Sequence, residues 1–193
     1  MVDAIELIHQ DHLNLDKVLS VLLEVGGNLP EKKSTSKLTV LRDALYYIEV
    51  FPERFHHPKE ESILFPFVRK HRPDLGQILD ELHQQHEDGS KVIGALAARL
   101  KDLENDWTSN RVAFESELQA YIEAQRQHMS LEEREILKPI KQSLSRIDIK
   151  SINSAYGVSV DPLFGDNLST GFNALLNRIT RLGERESVTN KST

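Results

Sequence analysis

Apolar residues recur at alternating three- and four-residue intervals in four long stretches of the chain, a pattern typical of helices that bury one face. The first stretch covers residues 2–25 and ends at a glycine pair. The later stretches cover residues 37–71, with Ser36 as the predicted N-cap, then residues 74–104 and 110–145. Four amphipathic helices with short connections predict an all-α protein built as an up-down-up-down four-helix bundle.

The second stretch contains an irregularity. Its apolar seam breaks at Phe51-Pro52 and resumes at His56, one residue out of register with the regular repeat. A kink or bulge near Pro52 would absorb the extra residue. Pro58 removes a further backbone hydrogen bond and crowds the carbonyl of Arg54, so we expect a distorted helix there.

The character of the chain changes after the fourth stretch. Turn-forming residues are followed by one short amphipathic helix, whose apolar positions run from Phe172 to Ile179. We therefore expect a bundle over residues 1–145 and a short helical C-terminal extension over residues 146–193. This extension is predicted to pack on the bundle and to fray from about Gly183.

Histidines replace apolar residues on the seams of all four predicted helices. These histidines are His12, His56, His86 and His128. Two of them begin an HxxxEE pattern, so Glu60 and Glu132 each lie one helical turn further along the same face. Unpaired, such buried ionisable groups would cost several kcal/mol each. A shared metal site would explain why they occur together.

Six nitrogen and oxygen donors are too many for one tetrahedral zinc ion. They suit two metal ions with octahedral preference that share Glu60 and Glu132 as bridges. Mixed imidazole and carboxylate donors favour iron, with manganese or zinc as alternatives, and a position would stay open for O2 or NO. The predicted metal ligands are His12, His56, Glu60, His86, His128 and Glu132.

Neighbouring polar residues are expected outside this ligand set. His57 follows a predicted ligand but points about 100° away on a regular helix, so it is placed behind the site or on the surface. Glu61 and Glu133 are predicted to accept hydrogen bonds from ligands or to lie on the surface. His9 and His83 lie near ligand-bearing faces, and whether they or His57 contact the site stays open.

Composition narrows the chemistry further. The 193 residues include no cysteine, which excludes disulfides, thiolate zinc sites, cysteine-ligated iron–sulfur clusters and thiol redox chemistry. A net charge of −6 argues against a nucleic-acid-binding protein. The chain shows neither a membrane-spanning run nor a signal peptide, so a cytoplasmic protein without a membrane partner is expected.

These motifs resemble the hemerythrin-like family, also called the HHE cation-binding domain. The resemblance covers residues 5–140 and rests on Asp11-His12, His56-His57-Pro58-Lys59-Glu60-Glu61, His86-Glu87, His128-Met129 and Glu132-Glu133. It implies a four-helix bundle with a non-heme diiron site, an oxo or hydroxo bridge and the six ligands above. The segment Asp161-Pro162-Leu163-Phe164-Gly165 resembles the tail of one bacterial branch of the family.

The chain departs from two branches of that family. Oxygen carriers have HxxxH on the third helix and HxxxxD on the fourth, whereas this chain has His83-Gln84-Gln85-His86 and HxxxE. The iron-centre repair branch has cysteines, which are absent here. The predicted function is binding of O2, NO or iron in a sensing, storage or protective role. The alternative is a diiron oxidoreductase or an iron-centre repair protein that acts on peroxide or NO damage.

Overall fold

A computed structural model describes residues 3–156 and 180–181 of the chain. The described residues are helical apart from short connections and include no β-strand. Their α-helices are α1 (Ala4–Gly26), α2 (Thr35–Val50), α3 (His57–Lys59), α4 (Phe65–His71), α5 (Gly76–Asn105), α6 (Trp107–Glu132), α7 (Lys138–Ser143) and α8 (Arg146–Tyr156). A 3₁₀ turn (Pro73–Leu75) and the π-helical segments π1 (Pro52–His56), π2 (Glu60–Leu64) and π3 (Glu133–Leu137) join some of them.

The long helices pack side by side as a bundle. α1 contacts α2 and α6, and α5 contacts the same two helices from the other side. The all-α prediction is therefore confirmed, whereas the alternating up-down direction of the four stretches stays a prediction. No helix in the described part of the chain is long and apolar enough to span a membrane.

Side-chain caps set where α2 and α6 begin. Ser34, rather than the predicted Ser36, caps α2, because its hydroxyl accepts from the backbone N–H of Lys37 at 3.4 Å. Asp106 caps α6 by accepting from the backbone N–H of Ser109 at 3.2 Å. α6 therefore begins at Trp107, earlier than the predicted residue 110.

Each π-helical segment is followed closely by a proline. In an α-helix, a proline ring crowds the carbonyl four residues before it. For Pro58, Pro66 and Pro139 that carbonyl lies inside π1, π2 and π3, respectively. The wider π turn accommodates the ring without ending the helix.

At π1 the backbone shows this widening directly. The carbonyl of Phe51 accepts hydrogen bonds from both Phe55 N, at 3.0 Å, and His56 N, at 3.2 Å. This wider turn accommodates the one extra residue that puts the apolar pattern out of register at His56. The predictions of a bulge near Pro52 and of a distorted helix around Pro58 are both confirmed.

The bundle contains two separate apolar clusters. The first includes Leu15, Leu19, Leu41, Ile93, Leu96 and Phe114. The second includes Ile8, Leu64, Leu79, Leu82, Ile136 and Ile140. Along α1, His12 lies between a member of each cluster, and His86 does the same along α5. The polar seam residues therefore form a layer between two hydrophobic cores.

α8 packs on the bundle beside the second apolar cluster. Its Ile152 and Tyr156 are buried there, and Asn153 Oδ1 accepts from the backbone N–H of Ala4 at 2.8 Å. The predicted Phe172–Ile179 helix, the turn-rich segment before it and the frayed end from Gly183 lie outside the described residues. The boundary between the bundle and its extension stays a prediction.

Candidate metal centre

Two triads of buried side chains lie side by side in the polar layer. The first consists of His12, His56 and Glu60, and the second of His57, His86 and His128. Within each triad, one potential donor atom per residue lies within 4.8 Å of the others. α1, the π1–α3 junction, π2, α5 and α6 all contribute donors, so the whole bundle positions the site.

Glu60 connects the two triads. Its Oε1 lies 3.0 Å from His56 Nε2, and its Oε2 lies 3.5 Å from His86 Nε2. The side chain is 0% exposed, and neither oxygen has a hydrogen-bond partner. Each carboxylate oxygen of Glu60 therefore lies beside a histidine of a different triad. A carboxylate that bridges two metal ions is placed in this way.

Glu132 lies against the first triad. Its Oε2 is 3.4 Å from His12 Nε2, it is also 0% exposed, and both of its oxygens lack hydrogen-bond partners. His12 Nε2 and His56 Nε2 are unpartnered as well. A buried polar group left unsatisfied costs about 1–3 kcal/mol. So many unsatisfied donor atoms in one layer fit a site that cations fill.

Each of the five histidines presents its Nδ1 atom to a polar side chain outside the two triads. The distances are His12–Glu133 2.9 Å, His56–Asp11 3.1 Å, His86–Glu61 2.7 Å, His128–Gln85 2.9 Å and His57–Glu53 3.6 Å. The first four are hydrogen bonds, and the last is longer than one. Such acceptors favour the proton on Nδ1 and leave the Nε2 lone pair for a metal.

Glu61 and Glu133 therefore accept from histidines of the site, as the sequence predicts. The same two carboxylates also contact the exposed histidines. His83 Nδ1 lies 3.1 Å from Glu61 Oε2, and His9 Nδ1 lies 2.9 Å from Glu133 Oε1. His9 and His83 thus lie one step outside the donors, on the solvent side.

His57 does not lie on the surface, which was one of the two positions predicted for it. The side chain is buried, and its ring stacks on that of His86 with centroids 4.1 Å apart. The prediction assumed regular α-helical rotation between adjacent residues. Because π1 ends at His56, more residues share that turn, and both adjacent histidines face the interior.

Sequence reasoning gave no role to Glu53 or Gln85 and quoted Asp11 only as part of a motif. Each had a local signal, since Asp11 and Gln85 adjoin site histidines and Glu53 precedes His57 by four residues. All six predicted ligands lie in the polar layer, and the buried His57 lies there with them.

The pKa values of the histidines in the centre are shifted in opposite directions. Burial alone would lower the pKa of His12, but the adjacent carboxylates of Glu132 and Glu133 raise it to about 9. Burial, followed by the nearby charge of His56, lowers the pKa of His57 to about 3. Burial and then the Glu132 carboxylate raise the pKa of Glu60 to about 7. In the metal-free protein, the first triad therefore carries more protons than the second.

Comparison with known proteins agrees with this geometry. A family model described as the hemerythrin HHE cation binding domain matches residues 3–140. No curated protein matches the chain. The matched range covers more than half of the sequence and includes both triads and Glu132. The chain therefore belongs to the hemerythrin HHE cation-binding domain family.

Proposed function

We propose that the chain binds two iron ions in a non-heme dinuclear centre within an up-down-up-down four-helix bundle. In this proposal the centre binds O2, NO or iron itself in a sensing, storage or protective role in the cytoplasm. The observation that carries the proposal is the placement of Glu60, with one carboxylate oxygen at each triad. Family membership supports cation binding, and the donor arrangement supports two ions rather than one.

The donors divide naturally between two ions. His12, His56 and Glu132 would hold the first ion, and His57, His86 and His128 would hold the second. Glu60 would be a ligand of both ions, and the predicted bridging role of Glu132 stays a prediction. Imidazole nitrogen with carboxylate oxygen is a donor set that iron accepts, with manganese or zinc as alternatives.

A small exogenous ligand fits this count. Two six-coordinate ions have about twelve positions, whereas five imidazoles and two carboxylates supply fewer donor atoms than that. When bound, iron would supply one-electron redox chemistry and open positions for a diatomic ligand. The protein contributes the orientation of the donors through its Nδ1 contacts, and the two apolar clusters on either side limit the access of water.

Metal analysis of protein purified without oxygen tests the proposal. About two irons per chain are expected, together with an oxo-to-iron charge-transfer absorption that appears on exposure to air. Fewer than about 1.5 irons per chain without that absorption would contradict the dinuclear centre.

Addition of H2O2 or NO to the iron-loaded protein separates binding from catalysis. A sensing or storage centre binds a stoichiometric amount and stops. Continued consumption would instead support the alternative of a diiron oxidoreductase or an iron-centre repair protein. If a chelator that removes the metal lowers the melting temperature, and no added ligand changes the spectrum, the metal is purely structural.

A further inference from the structure

An open pocket of about 400 Å³ lies on the protein surface directly outside the second triad. His57 and His86 line it, and residues of α5 and of the segment from π1 to π2 form its walls. We call it the entry pocket. It connects solvent with two donors that are otherwise buried.

The lining of the entry pocket carries an excess of negative charge. Glu61 and Glu87 line it against one cation, Lys91. Glu53 also lines it, but burial raises its pKa to about 7, so it is only partly charged at neutral pH. The ammonium group of that lysine lies 3.1 Å from the Asp88 carboxylate, which offsets its charge. Clefts lined by one sign of charge raise the local concentration of the opposite ion and the rate at which it arrives. Here that ion is a cation.

Glu53 provides an independent observation. Its side chain is only 6% exposed, its Oε1 has no hydrogen-bond partner, and its Oε2 lies 3.6 Å from His57 Nδ1. A buried carboxylate oxygen that accepts no hydrogen bond is unfavourable unless a cation or a proton accompanies the carboxylate. Glu53 thus lines the pocket and lies beside His57 of the second triad.

Two other surface pockets are less suited to cations. The pocket between α1 and the α6–α7 region is lined by Arg134, Lys138 and Lys141 as well as acids. The groove between α5 and α6 is lined by three acids, Glu81, Asp88 and Glu117, of which the last two are paired with Lys91 and Arg99. The rest of its exposed lining is largely apolar, and it reaches only His128 among the donors. The entry pocket combines excess acid with access to two donors.

We propose that the entry pocket is the route by which divalent cations reach the centre. Glu87, Glu61 and His83 would bind an arriving cation weakly at the surface, and Glu53 would guide it to His57. This inference rests on the proposed metal centre and adds how that centre is loaded. It concerns the rate of loading rather than the final occupancy.

Charge changes at exposed positions test the route without touching the donors. Glu87 is 56% exposed, so Glu87→Lys adds positive charge at the pocket, whereas Lys91→Gln removes it. Glu117→Lys makes the same change as Glu87→Lys, but at the α5–α6 groove. The probe is ferrous iron alone, mixed anaerobically with the metal-free full chain. At set times a coloured ferrous chelator captures the iron that is not yet bound, and its absorbance measures the rate of loading.

At low salt we expect Glu87→Lys to slow loading by about tenfold and Lys91→Gln to accelerate it. Glu117→Lys should load at the rate of the unaltered chain. The differences should shrink in high salt, because exposed charges are then screened. All variants should reach the same final iron content, which also shows that they fold.

The entry pocket is overturned if Glu87→Lys loads at the unaltered rate, or if Glu117→Lys slows loading as much. If Glu117→Lys slows loading and Glu87→Lys does not, a route through the α5–α6 groove is indicated. If the unaltered chain takes up no iron at all, the proposed function itself fails, and the inference fails with it. These two failures are distinguished by the iron content of the unaltered chain.

Discussion

His12 Nδ1 donates a hydrogen bond to Glu133 Oε1 at 2.9 Å. The other nitrogen of the same ring, Nε2, faces the polar layer. There, Glu132 Oε2 lies 3.4 Å from Nε2. Two consecutive glutamates therefore contact opposite sides of one imidazole. Glu132 contacts the ring from within the polar layer, and Glu133 contacts it from a half-exposed position outside that layer.

Glu132→Ala should consequently weaken metal binding more than Glu133→Ala. Loss of Glu133 removes a hydrogen bond that orients His12, and outer contacts of this kind cost about 10–100-fold in affinity. Loss of Glu132 removes a proposed ligand. Competition with a coloured chelator measures both. Equal effects, or a larger effect of Glu133→Ala, would show that Glu132 is not a ligand.

The role of His57 can be tested against a neighbouring histidine. His57→Ala should reduce the iron content from about two per chain towards one, because it removes a donor of the second triad. His83→Ala is the matched control, since that side chain is 55% exposed and contacts Glu61 rather than a donor atom. Two irons in both variants would place His57 outside the ligand set.

Metal affinity should rise with pH between about 6 and 9, because ligands must lose their protons to bind. His12, with a pKa of about 9, carries a proton at pH 7 in the metal-free protein, and Glu60, with a pKa of about 7, is partly protonated. Protons therefore compete with the cation as the pH falls. Calorimetry in two buffers of different ionisation enthalpy should detect proton release. Binding at pH 7 without proton release would contradict these protonation states.

Much of the site was readable from sequence because the HxxxEE spacing is local. His56 with Glu60 and His128 with Glu132 follow from helical periodicity alone. The inward position of His57 was not predicted, because π-helical turns depend on several prolines together and regular periodicity does not include them. Contacts such as His128 with Gln85 join different helices, so the sequence does not show which residues meet.

The extension was predicted less completely. Ile149, Ile152 and Tyr156 follow three- and four-residue spacing, yet α8 was not predicted as a helix. Its amphipathic signal is only about three turns long, and isolated helices of that length are marginal in water. Packing on the bundle supplies the missing stabilisation.

Tyr156 tests that packing. Tyr156→Ala should destabilise the protein by about 3–5 kcal/mol, as removal of other buried aromatic rings does. Tyr156→Phe should change the free energy of unfolding by about 1 kcal/mol or less, since the hydroxyl has no hydrogen-bond partner. Urea unfolding of the metal-loaded protein, for which a single transition is expected, measures both. A cost below about 1 kcal/mol for Tyr156→Ala would show that α8 is not part of the cooperative fold.

The polar layer between the two apolar clusters has a consequence for cooperativity. Hydrophobic contacts hold each cluster together, but the layer that joins them consists of histidines and carboxylates with unsatisfied atoms. Without cations the bundle resembles two short folding units in series, and we expect two unfolding transitions by calorimetry. With cations bound it should unfold in one. The metal ions would then act as the link through which one half of the molecule responds to the other.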